Sequence, residues 1–240
     1  MITGLIVALP QELDTLTTKK VVKGQSIALS KNLLLAYSGA GAENATNAAN
    51  LLIQQGATRL ISWGCAAALS PNLQSGDLVL ADTVISHDGE SIELDRNTYK
   101  QLKTVLEKLS LESKTSFGLR IGALLESQVL VAKSTDKQQR YQQTRAIALD
   151  MESVAVAKLA IQHNIPFLAI RAIADPSSMD LPEAVSYALN SKGDVELLKL
   201  LKYLVTHPKQ LTSLISLGQQ FSAAKRTLKT VASALEHTTA

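Results

Sequence analysis

The sequence points to an α/β architecture: a central sheet flanked by helices, with a helical C-terminal extension. Short apolar runs rich in β-branched residues alternate with longer segments of helical periodicity through residue 181. From about residue 182 onward the strand-like runs stop and only helical patterns follow. With 240 residues, 46% hydrophobic and 19% charged, the chain has the composition of a core former, and one domain over residues 1–240 is expected.

The expected strands, in order, are ITGLIVAL, NLLLAYS, RLISWG, DLVLADTVI, LRIGALL, AIAL and PFLAIRAIA, several of them apolar on both faces as buried strands are. Between them, ENATNAANLLIQQG, NTYKQLKTVLEKLSLE and ESVAVAKLAIQHN read as helices. The first and third end near Gly56 and Asn164, residue types that tolerate the left-handed turn closing a helix. The extension, residues 182–240, reads as helices broken at Gly193, Pro208 and Gly218. Within it Leu211, Leu214, Ile215, Phe221, Ala224, Leu228, Val231 and Leu235 recur at helical spacing beside Lys225, Arg226 and Lys229. Such a stripe packs on its own domain or a second subunit more often than on a bilayer.

Several function classes lose support. The net charge of +3 comes from dispersed Lys and Arg, and aromatics are only 4%, so nucleic-acid binding is not expected. Cys65 is the single cysteine and the four histidines are scattered, which gives neither a disulfide nor metal-ligand spacing; no metal or organic cofactor is expected. The first segment turns acidic straight after its apolar run, unlike a secretory leader, so a cytoplasmic setting is expected.

Ligands of open α/β sheets bind beyond the carboxyl ends of strands. Residues following the expected strands are Glu12; Gly39 and Gly41; Gly64 and Cys65; Met151 and Glu152; and Asp175, so three carboxylates converge on one rim. Glu12 follows Pro10 in a helix start, where the backbone dipole alone favours an acid. The turn YSGAGAENA has neither the third glycine of a dinucleotide fingerprint nor the Gly-Lys of a P-loop, and reads equally as a tight turn or a small-anion or sugar contact. Cys65 reads as a small buried thiol rather than a nucleophile. Glu152 opens a helix that is apolar on most faces, where an unpartnered carboxylate is costly, and its two oxygens suit vicinal hydroxyls. Asp150 reads as a helix-start or polar-rim residue. Asp175 precedes Pro176, which extends the backbone, and a carboxyl shielded there can have the raised pKa of a general acid.

Taken together, VALPQEL, SGAGAENA, SWGCAAAL with SGDLVLAD, Met151-Glu152 and RAIADP resemble the purine nucleoside phosphorylases and methylthioadenosine/adenosylhomocysteine nucleosidases over residues 2–176. That resemblance implies a mixed central sheet and cleavage of the N-glycosidic bond of an adenine nucleoside. Asp175 would protonate purine N7, Glu12 would position the nucleophile, and Glu152 and Met151 would hold the ribose. Val129 and Leu130 would flank the base, without the aromatic often found at the first of these positions, and Gly39, Cys65 and Ala66 complete the expected substrate-binding set. Ser62 stands where bacterial phosphorylases carry a phosphate-binding arginine, and ALPQELDTL has no arginine, which favours water over phosphate as nucleophile while leaving both open.

The tail from Asp175-Pro176 through Leu181-Pro182, Gly193 and His207-Pro208 resembles hopanoid-biosynthesis-associated phosphorylase-like proteins. It implies release of adenine from adenosylhopane, a lipid-linked substrate; the stripe of the C-terminal helices, read by itself, leaves peripheral membrane contact as the lesser alternative to internal packing. A soluble methylthioadenosine/adenosylhomocysteine nucleosidase, a purine nucleoside phosphorylase and a noncatalytic nucleoside-binding protein are the alternatives. A homodimer or larger homo-oligomer is expected from the same likeness.

Overall fold

The computed structural model describes residues 1–112, 117–188, 197–208 and 210–238. The elements run β1 (Thr3–Val7), α1 (Pro10–Leu13), β2 (Ser26–Ser30), β3 (Leu33–Tyr37), α2 (Ala42–Gln54), β4 (Arg59–Ala68), β5 (Leu78–Ile85), β6 (Ser91–Glu93), α3 (Arg96–Glu112), β7 (Leu119–Glu126), α4 (Ser134–Thr144), β8 (Ala148–Asp150), α5 (Ser153–Gln162), β9 (Phe167–Asp175), α6 (Glu183–Ala188), α7 (Leu197–Thr206) and α8 (Gln210–Thr238). All seven expected strands and all three expected helices are present. Positive φ at Gly56 and Asn164 closes α2 and α5, as their sequence positions suggested.

The sheet is mixed, in the order β2-β3-β1-β4-β8-β7-β5-β6, with β9 pairing both β4 and β5. β9 runs parallel to β4 and antiparallel to β5. Because β4-β8, β8-β7 and β7-β5 are also paired, strands β4, β8, β7, β5 and β9 close into a ring. Closure explains why all nine residues of β9 are buried, for this strand has neighbours on both edges and cover on both faces.

One core layer lies under α2 and α5, with Ala45, Ala49, Leu52, Val156 and Ala157 packed on the sheet. The opposite layer gathers Leu13 of α1, Leu102 and Leu106 of α3, and Ala224, Leu228 and Val231 of α8. In α8 the apolar stripe therefore divides. Its later part is core, and Thr227 adds a hydroxyl bond of 2.7 Å to the Gly76 carbonyl, whereas Leu211 and Ile215 are exposed. Leu235 and Gly193 lie outside the residues whose side chains are described.

Three local features differ from the sequence reading. Gly218 does not break the extension: α8 continues through it, since one glycine costs a helix only about 1 kcal/mol and the packed half outweighs that. Strands β2 and β6 carry no buried face of their own strong enough to mark them, being partly or largely exposed hairpin partners. Helix α4, STDKQQRYQQT, escaped notice because it lacks an apolar stripe; its one buried residue is Lys137.

If α8 is part of the core, Leu228→Ala should cost about 2–5 kcal/mol, the usual range for emptying a buried leucine site. Urea denaturation would read this as a lower midpoint, and an unchanged midpoint would mean the helix is not anchored there.

Candidate active site

Arg171 stands in the middle of β9, 1% exposed, and charge in its surroundings is arranged about it. Its Nε lies 2.6 Å from Asp150 Oδ2 at the end of β8, and Nη2 makes a second contact of 2.6 Å to the same oxygen. Nη2 also donates to Ser62 Oγ of β4 at 2.6 Å and Ser153 Oγ of α5 at 3.1 Å. Glu152 Oε2 is 3.8 Å from Nη2. An arginine here would be untenable without such partners, because a desolvated guanidinium needs a counter-charge and filled donors.

Asp150 is therefore not a polar-rim residue. It is buried and accepts the backbone N–H groups of Glu152 at 3.3 Å and Ser153 at 3.2 Å, together with the Ser153 hydroxyl, so it does serve the helix start as well as the arginine.

Glu12 reaches the same region from α1. Its Oε2 accepts the Ala8 and Leu9 N–H groups at 3.0 and 2.9 Å, and Oε1 accepts the Cys65 N–H at 2.7 Å. Pro10 begins α1 and the carboxylate turns back on the strand end preceding it. The helix is tied to β4 because the Trp63 indole N–H donates to Thr15 Oγ1 at 3.0 Å, while the Thr15 hydroxyl donates to the Glu12 carbonyl at 2.6 Å. Burial raises the Glu12 pKa, against the lowering effect of Arg171 and the three N–H donors.

Gly64 permits this approach. A Cβ at that position would stand 2.4 Å from Glu12 Oε1 and 2.7 Å from Arg171 Nη1, on side chains that the Cys65 amide and the Asp150 and Ser62 contacts hold in place.

Glu152 precedes α5, with Oε1 accepting the Gly41 N–H at 2.9 Å. The glycine turn thus offers its amide to a carboxylate of the same chain, and Gly41 adopts φ 96, which a side chain would resist. Burial first, then the Asp150 charge, pushes Glu152 up to about 7, with Arg171 and the Gly41 amide pulling the other way. Met151 lines a cavity of about 130 Å³ with Gly41, Ala42, Glu126, Ser127 and Gln128.

Asp175 ends β9, four residues beyond Arg171, and is 8% exposed. Its Oδ1 is 2.6 Å from the Nζ of Lys137. Burial raises its pKa although the neighbouring ammonium lowers it.

Of the remaining expected residues, Cys65 contributes its amide to Glu12, and burial followed by the Glu12 charge moves its thiol well above the ordinary value, away from nucleophilic use. Ala66 is buried in β4, and Gly39 lies in the turn before Gly41 with φ 82. Val129 is 62% and Leu130 38% exposed, beside the cavity-lining Ser127 and Gln128 in sequence. The structure brings Glu12 and Glu152 together about Arg171, with Asp175 further along the same strand. Sequence reasoning missed Arg171 and Lys137 as site residues. Arg171 had a usable signal, a single cation inside the apolar run AIRAIA; Lys137, within a polar helix, had none.

Comparison with known proteins adds a family. The model of the phosphorylase superfamily matches residues 3–191. A 5′-methylthioadenosine/S-adenosylhomocysteine nucleosidase of Buchnera aphidicola is 29% identical over 209 residues, covering 78% of this chain and 83% of the relative. One from Staphylococcus epidermidis is 30% identical over 158 residues, covering 60% and 69%. Among solved structures, the nucleosidase of Neisseria meningitidis in complex with methylthio-immucillin-A superposes with TM-score 0.71 at 20% identity, over 98% of this chain and 99% of that one. The futalosine hydrolase of Helicobacter pylori gives 0.66 at 17% identity, over 98% and 95%.

Replacing Arg171 by Met should destabilise the protein by about 3–5 kcal/mol, because Asp150 would remain buried without its counter-charge; equilibrium denaturation measures it, and a loss under 1 kcal/mol would mean the pair is not the organising contact. A second expectation concerns pH. Glu152 binds its proton more tightly folded, near 7, than unfolded, near 4.5, so its contribution to stability is full below about 4.5 and is lost as pH rises through about 7. The fall in denaturation midpoint between pH 5 and pH 8 should be smaller in Glu152→Gln than in the parent protein.

Proposed function

The chain belongs to the phosphorylase superfamily and is an enzyme of N-glycosyl-bond cleavage, and from that premise we propose that it releases adenine from an adenine nucleoside with water as nucleophile. The observation that carries this reading is the pair of buried carboxylates, Glu12 and Glu152, held by backbone amides around Arg171, with a third, Asp175, at the end of the arginine's strand.

In the proposed reaction the C1′–N9 bond breaks and its electron pair leaves on the purine. Asp175 gives its proton to N7, so the base departs neutral. Charge developing at C1′ is favoured by the nearby carboxylates. A water oxygen bonds to C1′ and its proton passes to Glu12, whose raised proton affinity suits a base that must accept it. Glu152 accepts hydrogen bonds from the ribose hydroxyls and Met151 lies against the sugar.

Water is favoured over phosphate by charge. A phosphate dianion entering this cluster would meet Glu12 and Glu152, and Arg171, the cation between them, already serves Asp150, Ser62 and Ser153. The Ser62 hydroxyl, at a position where phosphorylases of the family carry an arginine, here accepts a hydrogen bond from Arg171.

The finer reading is that the substrate is adenosylhopane. Support comes from the likeness of the tail to hopanoid-associated proteins and from the exposed Leu211 and Ile215 on the first turns of α8, a surface suited to peripheral contact with a bilayer from the cytoplasmic side. Among the described residues no helix is long and apolar enough to cross a membrane. The reading includes assembly as a homo-oligomer. A soluble methylthioadenosine/adenosylhomocysteine nucleosidase is the second reading, favoured by the named relatives.

Free adenine should be measured from adenosylhopane in detergent, from adenosine and from methylthioadenosine, each with and without phosphate. Release from the hopanoid alone, without need of phosphate, is the expected result; release chiefly from methylthioadenosine would select the second reading. Asp175→Asn should retain nucleoside binding while losing adenine release by about 10²–10⁴-fold, the usual contribution of a positioned acid. Binding without release by the parent protein would overturn the enzymatic reading.

A further inference from the structure

Lys137 is the only fully buried lysine among the described residues, and no expectation from sequence or family likeness gave it work. It sits one turn into α4, a helix whose other side chains are largely in solvent. An ammonium has three donors, and all three are used: Asp175 Oδ1 at 2.6 Å, the Pro176 carbonyl at 3.1 Å and the Met179 carbonyl at 2.8 Å. Burying a lysine is costly, and this one is compensated by a single anion, Asp175.

The rest of the α4 start grips the same segment. The Ser134 N–H donates to Asp180 Oδ1 at 2.8 Å, Lys133 Nζ lies 3.2 Å from Asp180 Oδ2, and the Leu181 N–H donates to the Ala132 carbonyl at 2.8 Å. Residues 175–181 are therefore held at both ends by residues 132–137. Among the described residues Asp175 Oδ2 accepts no hydrogen bond, so the lysine fixes one oxygen and leaves the other for a ligand.

We infer that Lys137 is a positioning residue for adenine release: acting through Asp175, it orients the carboxyl with Oδ2 toward the base and sets the upper pH limit at which that carboxyl still carries a proton. This rests on the reading of Asp175 as the general acid. The charged groups facing Asp175 are Lys137 from α4 and Asp180 from the following turn, the latter already paired with Lys133. The ammonium lowers the proton affinity of Asp175, while burial and Asp180 raise it. An acid works protonated, so activity declines as pH rises through its pKa. Removing the ammonium raises that pKa and carries the decline to higher pH.

The experiment is the pH profile of adenine release by the full chain, Lys137→Met and Lys137→Gln, with circular dichroism confirming that each variant is folded. In both, the basic limb should move upward by on the order of one pH unit, the lower end of what an adjacent opposite charge contributes, with a lower rate at the optimum. A charge-preserving Lys137→Arg that folds should keep the parent limb. A basic limb unmoved in a folded Met or Gln variant would overturn the inference. Should neither variant fold, NMR on the parent protein decides: the Lys137 Nζ resonance should shift in the same step in which the Asp175 carboxyl titrates, and a resonance flat through that step would refute the coupling. Asp175→Asn separates the two readings. If it releases adenine at the parent rate, the acid assignment itself fails; if it is inactive while the Lys137 variants keep the parent limb, only the role of Lys137 fails.

Discussion

The buried guanidinium of Arg171 is the contact on which the rest of the site depends. Three carboxylates, Asp150, Glu152 and Glu12, come from the end of β8, the start of α5 and the first turn of α1, and without a cation among them burial and mutual repulsion would favour their protonated forms more strongly still. The arginine does not treat them alike. It spends its closest bonds on Asp150, whose position is thereby structural, and leaves Glu12 and Glu152 to be held chiefly by backbone amides. Those two retain raised proton affinities, a mark of candidate functional groups.

The sheet explains how elements distant in the chain supply these parts. β4 brings Ser62, Gly64 and the Cys65 amide; β9 lies beside it in parallel, with Gly64 and Arg171 in register, and delivers Asp175 at its end. Glycine at position 64 is a packing requirement imposed from across the strand pair, since the carboxylate of Glu12 and the guanidinium of Arg171 occupy the space a side chain would fill. In the turn that holds Gly39 and Gly41, the Gly41 amide is likewise turned onto Glu152.

Much of this was legible in the sequence, for physical reasons that can be named. Buried strands wrote themselves as apolar runs, and strand-end acids stood out because an acid beside such a run needs a partner. Glu12, Glu152 and Asp175 could be singled out that way. Their partners could not: periodicity shows that a residue is buried but not what it faces, so Asp150 was legible as a helix-start or rim residue but not as the counter-ion of Arg171, and Arg171 passed for one more letter of AIRAIA. Lys137 was hidden more thoroughly, because a lysine in a polar helix is ordinarily solvated and only the reach of its ammonium to Asp175 at the end of β9 makes it otherwise. Gly218 misled in the opposite sense, since local propensity yielded to the packing of the later turns of α8.

The closed ring has a consequence for how the molecule comes to exist. Glu12, Gly41 and Gly64 are synthesised early, yet the bonds that complete their surroundings reach to Glu152 and Arg171, more than a hundred residues later in the cases of Gly41 to Glu152 and Ser62 to Arg171. Until β9 inserts between β4 and β5, the early strands have a vacant edge and acids without their counter-ion. The ring cannot close, nor can the early acids meet Arg171, until β9 has paired with both β4 and β5, so the contacts that complete the site are long-range ones, of the kind that slow folding. Ring closure and charge neutralisation thus depend on one and the same strand.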